Sequence, residues 1–342
     1  MSRWALALIF LPATAWADAG SFGFHLLGEA QTLDPQTTSA ASGNYLFHNI
    51  YRGLYRYDGK RGLVLEGAES CAREKLKLIC RLRDEKWSDG KPVTAGQYLE
   101  NFRRLIDPDK RSPQSDVLFT IKNAREIWAG RMSPDSLGVS AKDARTLEFE
   151  FSEEDPEFEY KLIHPALSPH PPSGYLAREN SPRMVVNGPY VIKEWKVGAR
   201  VRLKPNPHYS RGNSKPPPLE AYFIDEDATA LRLYESGKMQ FLRRVAAREI
   251  PRHRGKPYFH QVPMGRFDYI GFGPDIAGNA KLREALTASV EFKNFLKLFD
   301  TRSAPGCPSL PLRLSGRVGC MKFDKSRAAR ALEKSGFNRK LE

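Results

Sequence analysis

Along the chain, apolar residues recur at spacings that alternate between strand and helix periods. From Ser21 to Leu33 the pattern reads as a strand running into a Leu33-Asp34-Pro35 turn, and from Asn44 to Leu54 the apolar Leu46, Phe47, Ile50 and Leu54 predict a helix. Residues 63 to 87 read as a β-hairpin ending at Trp87, followed by a Ser88-Asp89-Gly90-Lys91-Pro92 turn. Thr94 is placed to cap a helix over residues 95 to 106, with Tyr98, Phe102 and Leu105 on one face and Asp107-Pro108 as the stop. A second helix is expected from Ile121 to Trp128 and a strand from Thr146 to Phe151, where Leu147, Phe149 and Phe151 alternate. Prolines at 165 to 173 mark a boundary or a buried crossing loop. Strands are then expected at 185 to 192, 200 to 204 and 221 to 224, with a helix from Asp227 to Ser236. The last third begins with a strand at Tyr269 to Phe272, followed by helices at 280 to 290 and 325 to 334. Helices and strands intermix, which gives an α/β class with mixed sheets.

The N-terminus bears on the compartment. Met1 to Arg3 is a short basic region, Trp4 to Leu11 a compact apolar run, and Ala15-Trp16-Ala17 an A-x-A site, so a signal peptide over residues 1–17, cleaved after Ala17, is expected. No later stretch approaches the ~20 apolar residues of a transmembrane helix. At 342 residues there is length for two or three structural units. Lys plus Arg number 54 against 40 Asp plus Glu, a net charge of +14, which turns attention to acidic partners without choosing among them. Export suits the four cysteines. Proximity favours Cys71–Cys80 and Cys307–Cys320 pairs, with free buried thiols as the remaining possibility, and neither spacing is a C-x2-4-C zinc motif.

The chain carries few motifs of catalytic chemistry. The chain has no G-x-S-x-G elbow, no H-E-x-x-H and no P-loop, and Gly271-Phe272-Gly273 lacks the third glycine of a dinucleotide loop. Glu153-Glu154-Asp155 reads as solvated, His164 and His170 as loop histidines rather than metal ligands, and Trp87, Tyr190 and Trp195 as core aromatics. Basic residues are spread without an aromatic–basic motif, so nucleic-acid binding is not expected. No enzyme activity, cofactor or metal is expected.

Five motifs in register carry a resemblance. Leu33-Asp34-Pro35, the run from Trp87 to Ala95, Asn187-Gly188-Pro189-Tyr190, the run from Lys204 to Tyr209 and the run from Ala230 to Gly237 are similar to those of the periplasmic oligopeptide- and dipeptide-binding proteins, the family 5 extracellular solute-binding proteins of ABC importers. The stretch from Lys161 to Pro169 resembles the oligopeptide and murein-peptide branch. The resemblance implies a periplasmic-binding-protein-like two-lobed fold: a first lobe over 18–262 with an inserted subdomain at about 55–165, and a partial second lobe over 263–342. The helix from Ala328 to Gly336 is similar to one early in the family's second lobe, so that lobe is expected to be curtailed. An Asp that holds the peptide ammonium in the family's oligopeptide binders then has no counterpart.

The resemblance places a ligand groove between the lobes. Expected on the first-lobe side are Ser39, Ala40 and Ala41, Gln114, His164, and Asn187 with Gly188. On the second are Arg266 for a peptide carboxylate, Asp268 as a substitute for the missing Asp, and Tyr269. Two positions depart from the family: Ser39 stands where its oligopeptide binders have Glu, and Gln114 where they have Tyr. A backbone such as residues 39 to 42 still pairs with an extended peptide by β-augmentation, because main-chain bonds do not depend on side-chain identity. The expected function is periplasmic peptide binding, as a monomer, for an inner-membrane ABC permease. The alternative is an exported interaction protein that keeps the scaffold and uses its basic surface.

Overall fold

The computed structural model describes residues 20–209, 216–262, 271–291, 294 and 323–337. They fall into two compact units, one ending at Arg243 and the other starting at Arg244.

In the first unit the chain opens on β1 (Phe22–Leu26), which pairs in parallel with β10 (Leu219–Phe223). Antiparallel partners β9 (Arg200–Pro205) and β8 (Tyr190–Lys196) complete a four-stranded sheet, order β1-β10-β9-β8. Alternation along β9 buries Val201 and Leu203 beneath α1 (Ala41–Ile50), whose Leu46, Phe47 and Ile50 complete that core with Leu26, Leu33 and Ile192. Here α1 begins three residues before Asn44 and ends at Ile50, and β8 starts only at Tyr190 because Gly188-Pro189 interrupts the expected strand from 185.

A small hairpin, β2 (Tyr55–Asp58) with β3 (Gly62–Leu65), leads to a second four-stranded sheet. Its order is β4-β5-β7-β6, from β4 (Ala68–Glu74), β5 (Lys77–Leu82), β6 (Val139–Asp143) and β7 (Thr146–Glu150), all antiparallel. Cys71 stands opposite Cys80 in the β4–β5 register and the two form the expected disulfide; Cys307 and Cys320 lie outside the described residues. One face of this sheet packs on α2 (Ala95–Ile106), whose Tyr98, Phe102 and Leu105 meet Leu78, Cys80, Leu147 and Phe149 in a second core. The helix starts where Thr94 was expected to cap it: Gln97 Oε1 accepts the Thr94 N–H at 2.9 Å and the Trp87 indole N–H at 3.0 Å, tying the helix start to a fully buried Trp87. Short helices α3 (Ala124–Trp128) and α4 (Phe158–Lys161) finish the layer. Ile121 is spent on a bridge to Phe151, which is why α3 begins after it. Asp155 corrects the reading of a solvated acidic run. It is buried, and its carboxylate accepts bonds from Thr120 Oγ1 at 2.7 Å and Lys161 Nζ at 2.6 Å.

After β10 comes α5 (Asp227–Glu235). Residues 239–241 then lie along the free edge of β1, where Phe241 bridges Phe24 in parallel and Gln240 Oε1 accepts the Gly23 N–H at 2.6 Å. In the second unit α6 (Ile250–His253) and α7 (Pro274–Ala277) precede α8 (Ala280–Ala288), which pairs with α9 (Lys325–Lys334). Asn279 caps α8 and also donates to the Ser335 carbonyl at 2.9 Å, while Arg327 pairs with Glu284 at 2.9 Å. Of the strand expected at 269–272, Tyr269 and Ile270 lie outside the described residues, and Gly271 and Phe272 carry no strand structure.

Three of the sequence motifs meet at one junction. Asn187 is buried; its Oδ1 accepts the Arg52 N–H at 3.0 Å and its Nδ2 donates to the Arg52 carbonyl at 2.8 Å. Gly188 donates to the Ile50 carbonyl at 2.8 Å, an approach so close that a Cβ there would stand 2.5 Å from the Ile50 backbone carbon. Asn206 Nδ2 donates to the Gly188 carbonyl at 2.8 Å, and Ser88, next to Trp87, exchanges hydrogen bonds with Val186. Beneath the junction lies the fully buried Glu66, which pairs with Arg56 at 2.8 Å and Arg52 at 3.3 Å and accepts the Tyr209 hydroxyl at 2.6 Å.

Two outcomes follow from these contacts. Gly188→Ala should lower unfolding free energy by about 2–3 kcal/mol, since backbone rather than a movable side chain blocks the methyl, and a denaturant midpoint unchanged from wild type would refute the close approach. Burial alone would raise the Asp155 pKa, but the Lys161 and Thr120 hydrogen bonds outweigh it and hold the carboxyl below its ordinary value. Its stabilisation is therefore complete above the unfolded value and is lost as pH falls through the folded one. Asp155→Asn should cost about 2 kcal/mol near pH 7, with the gap to wild type closing below about pH 4; chemical denaturation at both pH values measures it.

Candidate functional site

Helix α1 has one face committed to the core and one open. Ser42, Gly43, Leu46, Phe47 and Ile50 are buried, while Ala41, Tyr45 and His48 are exposed and Asn49 is half-buried. Positions 41, 45, 48 and 49 fall on a single helical stripe. The chain enters this helix through exposed Ser39 and Ala40, the latter extended at φ −65° and ψ 131°. Thr38 fastens the entry on both sides: its Oγ1 accepts the Ala40 N–H at 3.0 Å and its carbonyl accepts Gln114 Nε2 at 3.3 Å. Ser39, Ala40, Ala41 and Gln114 are thereby gathered at the head of the stripe.

His164 joins at the other end. Desolvation, then the Arg52 charge and then His164 push His48 down to about 4, so its ring is neutral at pH 7 although one edge meets solvent. Burial likewise lowers His164, whose Nδ1 accepts the Ala166 N–H at 3.2 Å and is thus unprotonated. Beside Tyr45 lies Arg243, its guanidinium 4.3 Å from the ring centroid. The bridge of Phe241 to β1, two residues earlier, is what brings it there.

Asn187 and Gly188 do not share this surface. The Asn187 side chain is spent on the Arg52 backbone and Gly188 abuts Ile50, so both hold the end of α1 in place. Arg266, Asp268 and Tyr269 lie outside the described residues. Sequence reasoning missed Tyr45, His48 and Arg243. The first two were findable, because starting the helix at Ala41 instead of Asn44 lays them on one stripe with Ala41; Arg243 carried no local signal.

A separate cavity of about 610 Å³ in the first unit is lined by Asp34, Arg104, His170, Tyr175, Arg178 and Glu179 among others. Its charges answer one another. Arg104 binds Asp34 and stacks 5.1 Å from the Tyr175 ring, Arg178 pairs with Glu29 at 3.0 Å, and His170 sits 3.4 Å from Glu100. Such a network locks the Leu33-Asp34-Pro35 turn onto α2 and leaves little free charge for a ligand. Among the described residues, no group of three or more His, Cys, Asp or Glu side chains is placed to hold a metal ion, and no helix is long and apolar enough to cross a membrane.

Comparison with known proteins places this scaffold. Residues 64–342 match the family model described as bacterial extracellular solute-binding proteins, family 5 Middle. The chain is 33% identical over 221 residues to the periplasmic oligopeptide-binding protein OppA of Salmonella typhimurium, covering 62% of this chain and 40% of that one. It is 30% identical over 247 residues to the probable deoxycholate-binding periplasmic protein YgiS of Escherichia coli, covering 67% of this chain and 45% of that one. Among solved structures, the Escherichia coli murein tripeptide binding protein MppA superimposes with a TM-score of 0.81 at 23% identity, over 93% of this chain and 67% of that one. The matches thus span less than half the length of these two curated relatives, and the fold is that of periplasmic binding proteins. With more than half of its length matched by the family model, the chain belongs to the bacterial extracellular solute-binding proteins of family 5.

Proposed function

We propose that this chain binds peptides in the periplasm as the substrate-binding component of an ABC importer and performs no chemistry. The observation that carries the reading is the family match over residues 64–342, joined to relatives that bear the names of oligopeptide- and murein peptide-binding proteins. In this reading the lobes are residues 18–262, with the inserted subdomain at 55–165, and 263–342. The open face of α1 is the first-lobe wall of the groove. Ser39 to Ala41 offer an extended backbone for β-augmentation, Gln114 flanks it, and His48 and His164, both neutral at pH 7, line the far end without adding charge. To residues 263–342 this reading assigns Arg266, Asp268 and Tyr269 as ligand contacts, and an inner-membrane permease receives the ligand.

The relative named for deoxycholate binding makes a second ligand class worth testing, because a bile acid is amphipathic where a peptide is polar along its backbone. Net charge of +14 supports a third reading, an exported interaction protein that uses its basic surface.

Thermal unfolding separates the three. A ligand that binds only the folded state at a hundred times its dissociation constant adds about 2.7 kcal/mol, so tri- to pentapeptides at millimolar concentration should raise Tm by several degrees while deoxycholate leaves it unchanged. A shift with deoxycholate alone would transfer the assignment to bile acids, and no shift with either would favour the interaction protein. For the export step, mass spectrometry of protein from the periplasmic fraction should find an N-terminus at Asp18; one at Met1 would overturn cleavage after Ala17.

A further inference from the structure

The arginines of the first unit are mostly answered by carboxylates. Arg52 and Arg56 close on Glu66, Arg104 on Asp34, and Arg200 and Arg202 on Glu220. Arg243 is different: among the described residues its contact is the face of Tyr45, at 4.3 Å, and no carboxylate pairs with it. A guanidinium lying over a ring keeps its N–H donors in its own plane, directed sideways and free for a bidentate acceptor. Tyr45 is 41% exposed and Arg243 half-buried, so the pair meets solvent on the stripe that also carries Ala41 and His48. Along the sequence, the segment from Arg243 to Lys256 holds six basic residues against one acidic residue, Glu249.

We propose that Arg243, held on Tyr45, selects peptides that carry an acidic side chain. This inference rests on the peptide-binding reading and adds the ligand class to it. The rigid ring fixes the guanidinium before any ligand arrives, so less side-chain freedom is lost when a carboxylate docks. Bidentate Arg–carboxylate recognition supplies direction as well as attraction, which a diffuse basic surface does not.

The test uses the full mature chain and calorimetric titration with C-terminally amidated tetrapeptides that differ only in Glu against Gln at one internal position. Amidation removes the terminal carboxylate, so a preference for Glu reports the side chain alone. Wild type should bind the Glu peptide about tenfold more tightly than its Gln counterpart, the order expected for one charge-assisted pair. Arg243→Gln should erase that preference while leaving the Gln peptide within about twofold of its wild-type affinity. Arg243→Lys, which keeps the charge and loses the fork, should retain only part of it. Equal wild-type affinities for the two peptides, or a preference that survives Arg243→Gln, would overturn the proposal while leaving peptide binding intact. If neither peptide binds wild type at millimolar concentration, the peptide-binding reading fails and takes the proposal with it.

Discussion

One close approach sets the rest of the first unit. The backbone of Gly188 lies against the last turn of α1, and the buried Asn187 amide reads the Arg52 peptide on both sides, N–H and carbonyl. An amide that makes two bonds to one backbone residue tolerates little displacement, because shifting either partner leaves a buried polar group unpaired. Through this contact the β8 sheet, the loop carrying Trp87 and Ser88, and α1 share a single origin. The open stripe of α1 then occupies a fixed position, which a surface that receives a ligand needs.

Electrostatics reinforce that origin. In a chain with so large an excess of basic residues, buried carboxylates become organising centres: Glu66 and Glu220 are each approached by two arginines, and Asp34 by the Arg104 fork. Breaking such a pair leaves an uncompensated buried charge, typically a cost of about 3–5 kcal/mol. These centres bind motif to motif, Leu33-Asp34-Pro35 to α2 in one case and Arg52 to Tyr209 in the other. What they leave over is as informative. Arg243 pairs with a ring instead of an acid, and it stands on the open face.

Local signals were legible wherever one residue type decides the backbone. Thr94 and Asp107-Pro108 bounded α2, because caps and stops act within a turn or two. The Cys71–Cys80 pair was legible because a short polar turn brings the two β-positions opposite each other. Boundaries slipped where packing outvoted pattern. Helix α1 gained Ala41 to Gly43 by burying Ser42 and Gly43, and Asp155, preceded by two glutamates, went under the surface because Thr120, from 35 residues earlier, and Lys161 meet it there.

The sequence by itself determined the α/β class, the positions of the main helices and strands, and, through five motifs in register, the family. Those properties rest on interactions within a few residues or on order along the chain. Only the tertiary structure decided what the motifs do. Asn187 and Gly188, which the resemblance placed in the groove, became the clamp on α1, and Arg243 reached Tyr45 by way of a strand-edge bridge at Phe241. Contacts between residues nearly two hundred positions apart depend on how the sheet is closed, and no local pattern encodes that closure.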